Sequence, residues 1–437
     1  MLSTPVVTAL VIGSLVFAII LGNIKKINIG IIALACAWII GCWLGGNFAS
    51  AITSLFPIKV VMYLICITFF YGFAISNGTM QKLGDKLMYL FRNHVKLIPF
   101  AIPLGAVIVA GCGGGGLMGD IVMVPIAMLL AARIGMSPLL ALSGVVMFAP
   151  VGGTTFWSVG GVASRGTAMQ TFSPEDSMAM VQAHSFAYIG VAVSFYLILY
   201  LVLKGWKVQA ENLNLEKPEP MNKGQRITFG LIVLLIALVV VPSLINIIFP
   251  NPICAYLVNY IFEIQVLCLI FGTVCALMGL ADPVDIIKNQ IPWNLILTIG
   301  GVATLVAVAQ MYGVTDMIAT HIGNNFEGNV AVALMAAIGG FMSLFTDGLG
   351  VGLPTFYPML PTIAEGAGVP VAALFIAFTM GTWITAMSPL STAGGLSLSL
   401  AGEENREKLF VPQLVVAILY GLWEVVVAFT GYFLLFA

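Results

Sequence analysis

Apolar runs of about 17–25 residues recur along the whole chain, the length a helix needs to cross a hydrocarbon core. Little else constrains a fold so tightly, because in lipid every backbone N–H and C=O must be satisfied inside the protein. Of the 437 residues, 60% are hydrophobic and only 8% charged, against roughly a quarter charged in a soluble domain. The sequence therefore predicts an all-α polytopic membrane protein with no soluble domain. The longest polar stretch, about 204–226, is too short to fold alone. A net charge of −1 without a basic block gives no sign of a nucleic-acid partner. The seven cysteines make no CxxC pair and fall almost entirely in apolar runs, so they read as small apolar residues. No basic leader or cleavage site precedes residues 4–22, which read as a first span.

Ten spans are expected, at about 4–22, 28–46, 57–77, 138–163, 180–203, 226–249, 262–280, 291–312, 369–400 and 411–436. Two further segments, 95–131 and 329–364, are interrupted by "GCGGGG" and "TDGLGVG". Their arms are short for a span, so each is expected to be a re-entrant hairpin. Irregular backbone at membrane depth is tolerated where protein or a water-filled cavity covers it. Ten crossings put all the Lys and Arg except Lys59 and Arg165 on one side. The positive-inside rule makes that side cytoplasmic, with both termini outside.

The halves resemble each other at an offset of 233 residues, through pairs such as Gly115/Gly348, Pro125/Pro358, Gly135/Gly368, Ser158/Ser391, Gly161/Gly394 and Ser164/Ser397. Residues 1–203 form a first repeat, 204–225 a cytoplasmic linker and 226–437 a second repeat. Each repeat has three spans, a hairpin and two spans. Five crossings per half is odd, so the second half is expected upside down. Inverted repeats with broken helices are the architecture of many secondary transporters, whose sites lie at the repeat interface.

Four segments break helical sequence inside the membrane: the two hairpin tips, and the fourth and ninth spans at "APVGGTTFWSVGG" (149–161) and "TAMSPLSTAGG" (385–395). Pro150 and Pro389 each remove a backbone donor. Unwinding bares helix N-termini, which attract anions, and carbonyls, which suit Na⁺. No Lys or Arg lies near the middle of an expected span, so amides, hydroxyls and co-bound cations are left to neutralise an anion. The expected substrate groups are Gly113, Gly114 and Gly115 at the first tip and Thr346 and Gly348 at the second. Thr154, Thr155 and Ser158 join them from one broken span, and Ser388, Pro389, Ser391 and Thr392 from the other. Asp347 is a carboxylate at membrane depth, a position that is usually functional. It is expected, with Gly152 and Gly153, to serve the coupling cation. Asp120 is a weaker candidate, since its repeat partner is Leu353. Glu424 reads as structural, Glu263 as snorkelling from a span end, and His94, His184 and His321 as interfacial. Arg165 follows the first break on the outer side, as an anion guide or an interface residue. "NGT" at 77–79 reads as a helix C-cap with Gly78 left-handed. No nucleophile–base pair or metal cluster suggests an enzyme.

"LGNIKKINIGIIALACAW", "ISNGTMQKLGDKL" and the glycine-rich hairpin resemble the N-terminal region of the MatC-type dicarboxylate carriers. "IPWNLILTIGGVATLVAVAQMYGVTDMIA" and "MSPLSTAGG" are similar to the wider divalent anion:sodium symporter group of the ion transporter superfamily. The resemblance implies a homodimeric, elevator-type carrier in the inner membrane. Its substrate would be a small dicarboxylate of the malonate, malate or succinate type, moved with Na⁺ or H⁺, and it would hold no cofactor beyond that ion. A cation/proton antiporter of the same superfamily is the alternative. The symporters carry Ser-Asn-Thr at each hairpin tip. This chain has Gly113–Gly114–Gly115 and Thr346–Asp347–Gly348 there, which opens the choice of coupling ion.

Overall fold

The computed structural model describes residues 4–43, 55–208, 216–249, 252–257, 261–343, 348–384 and 387–437. No strand occurs among them. The first half runs α1 (Thr4–Lys25), α2 (Ile29–Trp43), α3 (Ile58–Ser76) and α4 (Thr79–Leu90). The first hairpin follows as α5 (Ile98–Val109) and α6 (Gly115–Ile134), and the first broken span as α7 (Pro138–Gly153) and α8 (Val159–Ala168). The long α9 (Pro174–Val202) ends this half. Beyond the linker come α10 (Lys223–Ile248), α11 (Pro252–Tyr256), α12 (Ile264–Leu277), α13 (Pro283–Asn289), α14 (Trp293–Met311) and α15 (Val314–Asn325). The second hairpin holds α16 (Gly328–Ser343), α17 (Leu353–Phe356) and α18 (Leu360–Ala367). The second broken span is α19 (Val371–Ile384) and α20 (Thr392–Leu400), and α21 (Glu403–Phe429) is the last long helix.

Among the described residues, seven helical stretches are long and apolar enough to cross a membrane, and the chain is a multi-pass membrane protein. Large apolar side chains such as Ile39, Val202, Leu277 and Leu422 are exposed, an arrangement that lipid tolerates and water does not. A small core of Val7, Ala18, Ala33, Ala37, Val302 and Leu305 joins α1, α2 and α14. The larger core contains the first hairpin and both broken spans. Within it α7 packs on both α5 and α6, α16 packs on α19 and α21, and α9 packs on α19. Helix α3 lies against α12 and α8.

Three features depart from the sequence reading. First, α9 begins at Pro174 and α21 at Glu403, ahead of their apolar windows. At α9 the Ser173 side chain accepts from the Asp176 N–H at 3.0 Å, and Pro174 fits a first helical position. His184 thus sits within the helix, buried, rather than at an interface. Second, α4 and α15 are short helices that apolar periodicity alone did not announce. Each starts after a left-handed glycine, Gly78 (φ 77°) or Gly313 (φ 70°), so the turn expected at "NGT" is present. Helix α4 buries Met80, Leu83 and Met88 while Lys82 pairs with Glu219 at 3.4 Å. Third, the arms of the first hairpin, Val95–Cys112 and Gly115–Ile134, each reach spanning length. The glycine run does not unwind the chain. Residues Ala110–Gly114 form a π-turn that carries helical bonding up to Gly115, where φ is 68° and α6 begins.

Helix α10 is fastened at its polar end. Asn222 and Gln225 form a reciprocal capping box, and Gln225 also donates to the Asn77 carbonyl at 3.0 Å. Asn222→Ala is expected to cost about 1 kcal/mol, visible as a lowered thermal unfolding midpoint of the detergent-purified protein.

Candidate functional site

The two broken spans are rebuilt by the same local hydrogen bonds. In the first, the Ser158 N–H and Oγ–H both donate to the Thr155 carbonyl, at 2.8 and 3.0 Å. In the second, the Ser391 N–H and Oγ–H both donate to the Ser388 carbonyl, at 2.9 and 2.8 Å. Each serine is extended and precedes a new helix, α8 or α20. Gly161 and Gly394 pack onto these turns: a Cβ on either would stand 2.1 Å from the Thr155 or Ser388 carbonyl oxygen. The starts of the new helices differ. The Ser391 side chain accepts from the Gly394 N–H at 3.1 Å, whereas α8 has no side-chain cap. Its first amides, at Val159, Gly160 and Gly161, have no intrahelical partner by geometry.

Both breaks are also fastened from neighbouring helices. Gln413 of α21 is buried and donates to the Met387 and Gly394 carbonyls at 2.7 and 3.1 Å. Ser185 of α9 approaches the Thr154 carbonyl at 3.4 Å. At the first tip, Trp157 donates its indole N–H to the Gly111 carbonyl at 2.9 Å. The end of α7 lies against the tip backbone to backbone. A Cβ on Gly152 would stand 2.1 Å from the Val107 carbonyl oxygen, and one on Gly153 2.3 Å from the Gly116 nitrogen.

The second tip leans on α19. Ser343 donates to the Thr382 carbonyl at 2.5 Å, and a π-turn covers Gly348–Gly352. At the first tip the π-turn covers Ala110–Gly114, just before Gly115. Contacts also run between the halves. Ser397 of α20 donates to Asp120 of α6 at 2.9 Å, and Gly160 of α8 abuts the Trp383 ring of α19. Tips and broken spans therefore meet in one region.

Not every expected site residue stands where the sequence placed it. Thr346, Asp347 and the side chain of Thr392 lie outside the described residues. Gly152 is not a bare carbonyl for a cation, because its oxygen accepts from both the N–H and the hydroxyl of Thr155, at 3.3 and 2.9 Å. Its role, with Gly153, is close approach. The hydroxyl protons of Thr155, Ser158 and Ser391 are all used within their turns. These side chains build the breaks, which leaves backbone amides as the more open donors. Of the expected site hydroxyls among the described residues, that of Thr154 is buried without a partner. Ser388 is buried and accepts from the Leu390 N–H at 3.2 Å, beside Pro389.

Arg165 lies in α8 and is 1% exposed, so it is not an exposed guide for anions. Its Nε and one Nη have no hydrogen-bond partner. No other Lys or Arg is buried among the described residues. Trp157, Ser185, Thr382 and Gln413 were not foreseen as part of the site. Ser397 had one signal, its identity with Ser164 at the repeat offset. A pocket of about 310 Å³ lined by Phe100, Leu104, Phe148, Val151 and Ile189 is apolar and is unsuited to an anion.

Fold and site together define a multi-pass helical membrane protein whose helix breaks and hairpin turns converge. Residues 6–153, the N-terminal third, match the family described as the N-terminus of dicarboxylate carrier protein MatC, so the sequence resemblance holds for that region. In structure the chain is similar to the YdaH transporter of Alcanivorax borkumensis, described as having an unusual topology. The TM-score is 0.58 at 16% identity, covering 90% of this chain and 89% of that one, a likeness of fold. No curated protein matches the chain in sequence.

Overpacking at the tip is directly testable. Gly153→Ala is expected to cost about 1–3 kcal/mol. Gly230→Ala in α10, where a Cβ meets nothing within 4 Å, is expected to gain about 0.5–1 kcal/mol. Thermal melts of both variants against the parent check the contrast.

Proposed function

We propose that this protein is a secondary active transporter of small dicarboxylates of malonate, malate or succinate size. The observation that carries the reading is the pair of broken spans, with matching serine turns, beside two hairpin turns in a chain with a MatC-type N-terminal region. A dianion fits what these breaks offer. The uncapped amides of α8 point the positive end of a helix dipole at the gap, and Arg165, in the last turn of the same helix, is the one buried Lys or Arg among the described residues. Glycine at Gly113–Gly115 and Gly348 lets a ligand approach the tip backbone closely. Thr154, Ser388 and the amides after Ser391 complete the substrate set.

In this reading the two halves are inverted repeats. Both hairpins and both broken spans move as one transport domain against a scaffold around α2, α3, α12 and α14, in a homodimer of the inner membrane. The Lys/Arg-rich side faces the cytoplasm, and both termini face outward. Asp347, at the second tip, binds the coupling cation, Na⁺ or H⁺.

Uptake of radiolabelled malonate, malate and succinate into proteoliposomes tests the proposal. Saturable uptake driven by a Na⁺ or pH gradient is expected. A cation-dependent change of internal pH without organic uptake would instead mark a cation/proton antiporter. Asp347→Ala is expected to abolish gradient-driven accumulation, and unchanged coupling in that variant overturns its role. Arg165→Gln is expected to weaken dianion affinity by about tenfold or more, as loss of a charged partner does, measured as a raised KM.

A further inference from the structure

Away from the helix breaks, one group of buried polar side chains has no assigned task. Glu424 of α21 is fully buried, and neither carboxyl oxygen has a hydrogen-bond partner. The hydroxyls of Tyr188 on α9 and Tyr420 on α21 are buried without a geometric partner too. Each is near enough to Glu424, and to the other, to interact electrostatically. One turn before Tyr188 lies His184, whose ring centroid is 5.6 Å from the tyrosine ring. Its Nε2 is buried and unpaired. Phe195 stacks on Tyr420 at 4.9 Å, and Trp423 donates to Ser194 at 3.0 Å, so the walls are well packed.

Among the described residues, the elements packed on α21 supply no counter-charge. Besides α9, α21 packs on α7, α16, α19, α20 and the C-terminal turn Tyr432–Phe436. None of α7, α16, α19 and α20 contains an Asp, Glu, Lys, Arg, His, Cys or Tyr. The C-terminal turn offers Tyr432, whose hydroxyl donates to the Ala187 carbonyl at 3.2 Å. The titratable groups around Glu424 are thus Tyr188, Tyr420, His184 and, further along α9, Tyr196, which donates to the Pro99 carbonyl at 2.6 Å. An ionisable group without a partner inside a membrane helix bundle is expensive and functional by default. A hydrophobic residue of similar size would pack there at lower cost.

The cluster also connects to the first break. Ser185, next to His184, approaches the Thr154 carbonyl at 3.4 Å, and the Thr154 hydroxyl is itself unpaired. Ser185, His184 and Tyr188 thus follow one another along α9 from the broken span, and Tyr188 adjoins Glu424.

We propose that Glu424, framed by Tyr188 and Tyr420 with His184 beyond Tyr188, is a proton-binding site that couples transport to the pH gradient beside the cation held at Asp347. The reading rests on the transporter function above and deepens it. A proton suits this site better than Na⁺. Around residues 420–424 and 184–188 both helices are regular, so their carbonyls are spent on helical bonds and cannot form a sodium shell. A proton needs only one carboxyl oxygen. Glu424 takes one proton from water on one side of the membrane and returns it on the other, and no other bond changes.

The test compares wild type with Glu424→Gln in proteoliposomes, using labelled malonate, malate or succinate. Two measurements are made: accumulation under an imposed pH gradient, and counterflow exchange at equal pH on both sides. A one-unit gradient sustains about tenfold accumulation per coupled proton. In Glu424→Gln that accumulation is expected to fall to equilibration while exchange continues. Accumulation equal to wild type overturns the proposal, as does a wild type driven by Na⁺ and insensitive to pH. A wild type that neither accumulates nor exchanges any of these acids overturns the transporter reading instead. If Glu424→Gln does not fold, Tyr188→Phe and Tyr420→Phe carry the test. Each is expected to shift the pH midpoint of driven uptake while exchange persists, and unshifted midpoints in both overturn the proposal.

Discussion

The structure depends on one constraint: a chain that breaks its helices inside a bilayer must rehouse every freed backbone group. Both broken spans meet it in the same way. One serine turns its N–H and its hydroxyl onto a single carbonyl three residues back, at Thr155 or Ser388. Glycine follows at Gly161 and Gly394, because the rebuilt turn leaves no room for a Cβ. Remaining carbonyls are reached from other elements, by Trp157 at Gly111 and by Gln413 at Met387 and Gly394. What these bonds leave open is therefore selective: amides at the start of α8 rather than a random set of polar atoms.

That selectivity carries electrostatic consequences. Hydroxyl protons that close a turn cannot also be given to a ligand, so the serines and threonines act chiefly as architecture. In the proposed site the ligand-facing charge comes from amide dipoles, with a buried guanidinium at Arg165 in the same helix. Asp120 stands on the opposite arm, held by Ser397 across the two halves. The hairpin of one half thus touches the broken span of the other, and a shift of either is felt by both.

Much of this was legible in the sequence. Run length gave the multi-pass helical character, and the proline, glycine and hydroxyl clusters at 149–161 and 385–395 gave the two broken spans. "NGT" gave the left-handed Gly78, since few other residues tolerate that backbone. What escaped depends on geometry at a distance. The burial of Arg165 and His184 follows from how far α8 and α9 extend beyond their apolar windows, and caps such as Ser173 set that extent. The π-turn at Ala110–Gly114 was hidden because four glycines in a row suggest unwinding, while close packing against Gly152 and Gly153 keeps them helical. Gln413 and Trp157 carry no local motif at all; their partners lie 19–46 residues away.

The two fastening helices also explain how one event can reach both breaks. Helix α9 carries Ser185 at the first break and Tyr188 a turn later. Helix α21 carries Gln413 at the second break and Glu424 about 16 Å further along its axis. The Tyr188–Tyr420–Glu424 contact is thus where the supports of the two breaks touch each other. A change of charge there acts on α9 and α21 together, and a rigid helix transmits it as displacement rather than absorbing it. Packing this tight is bistable more readily than it is soft, so a local charge step can move both breaks as a unit.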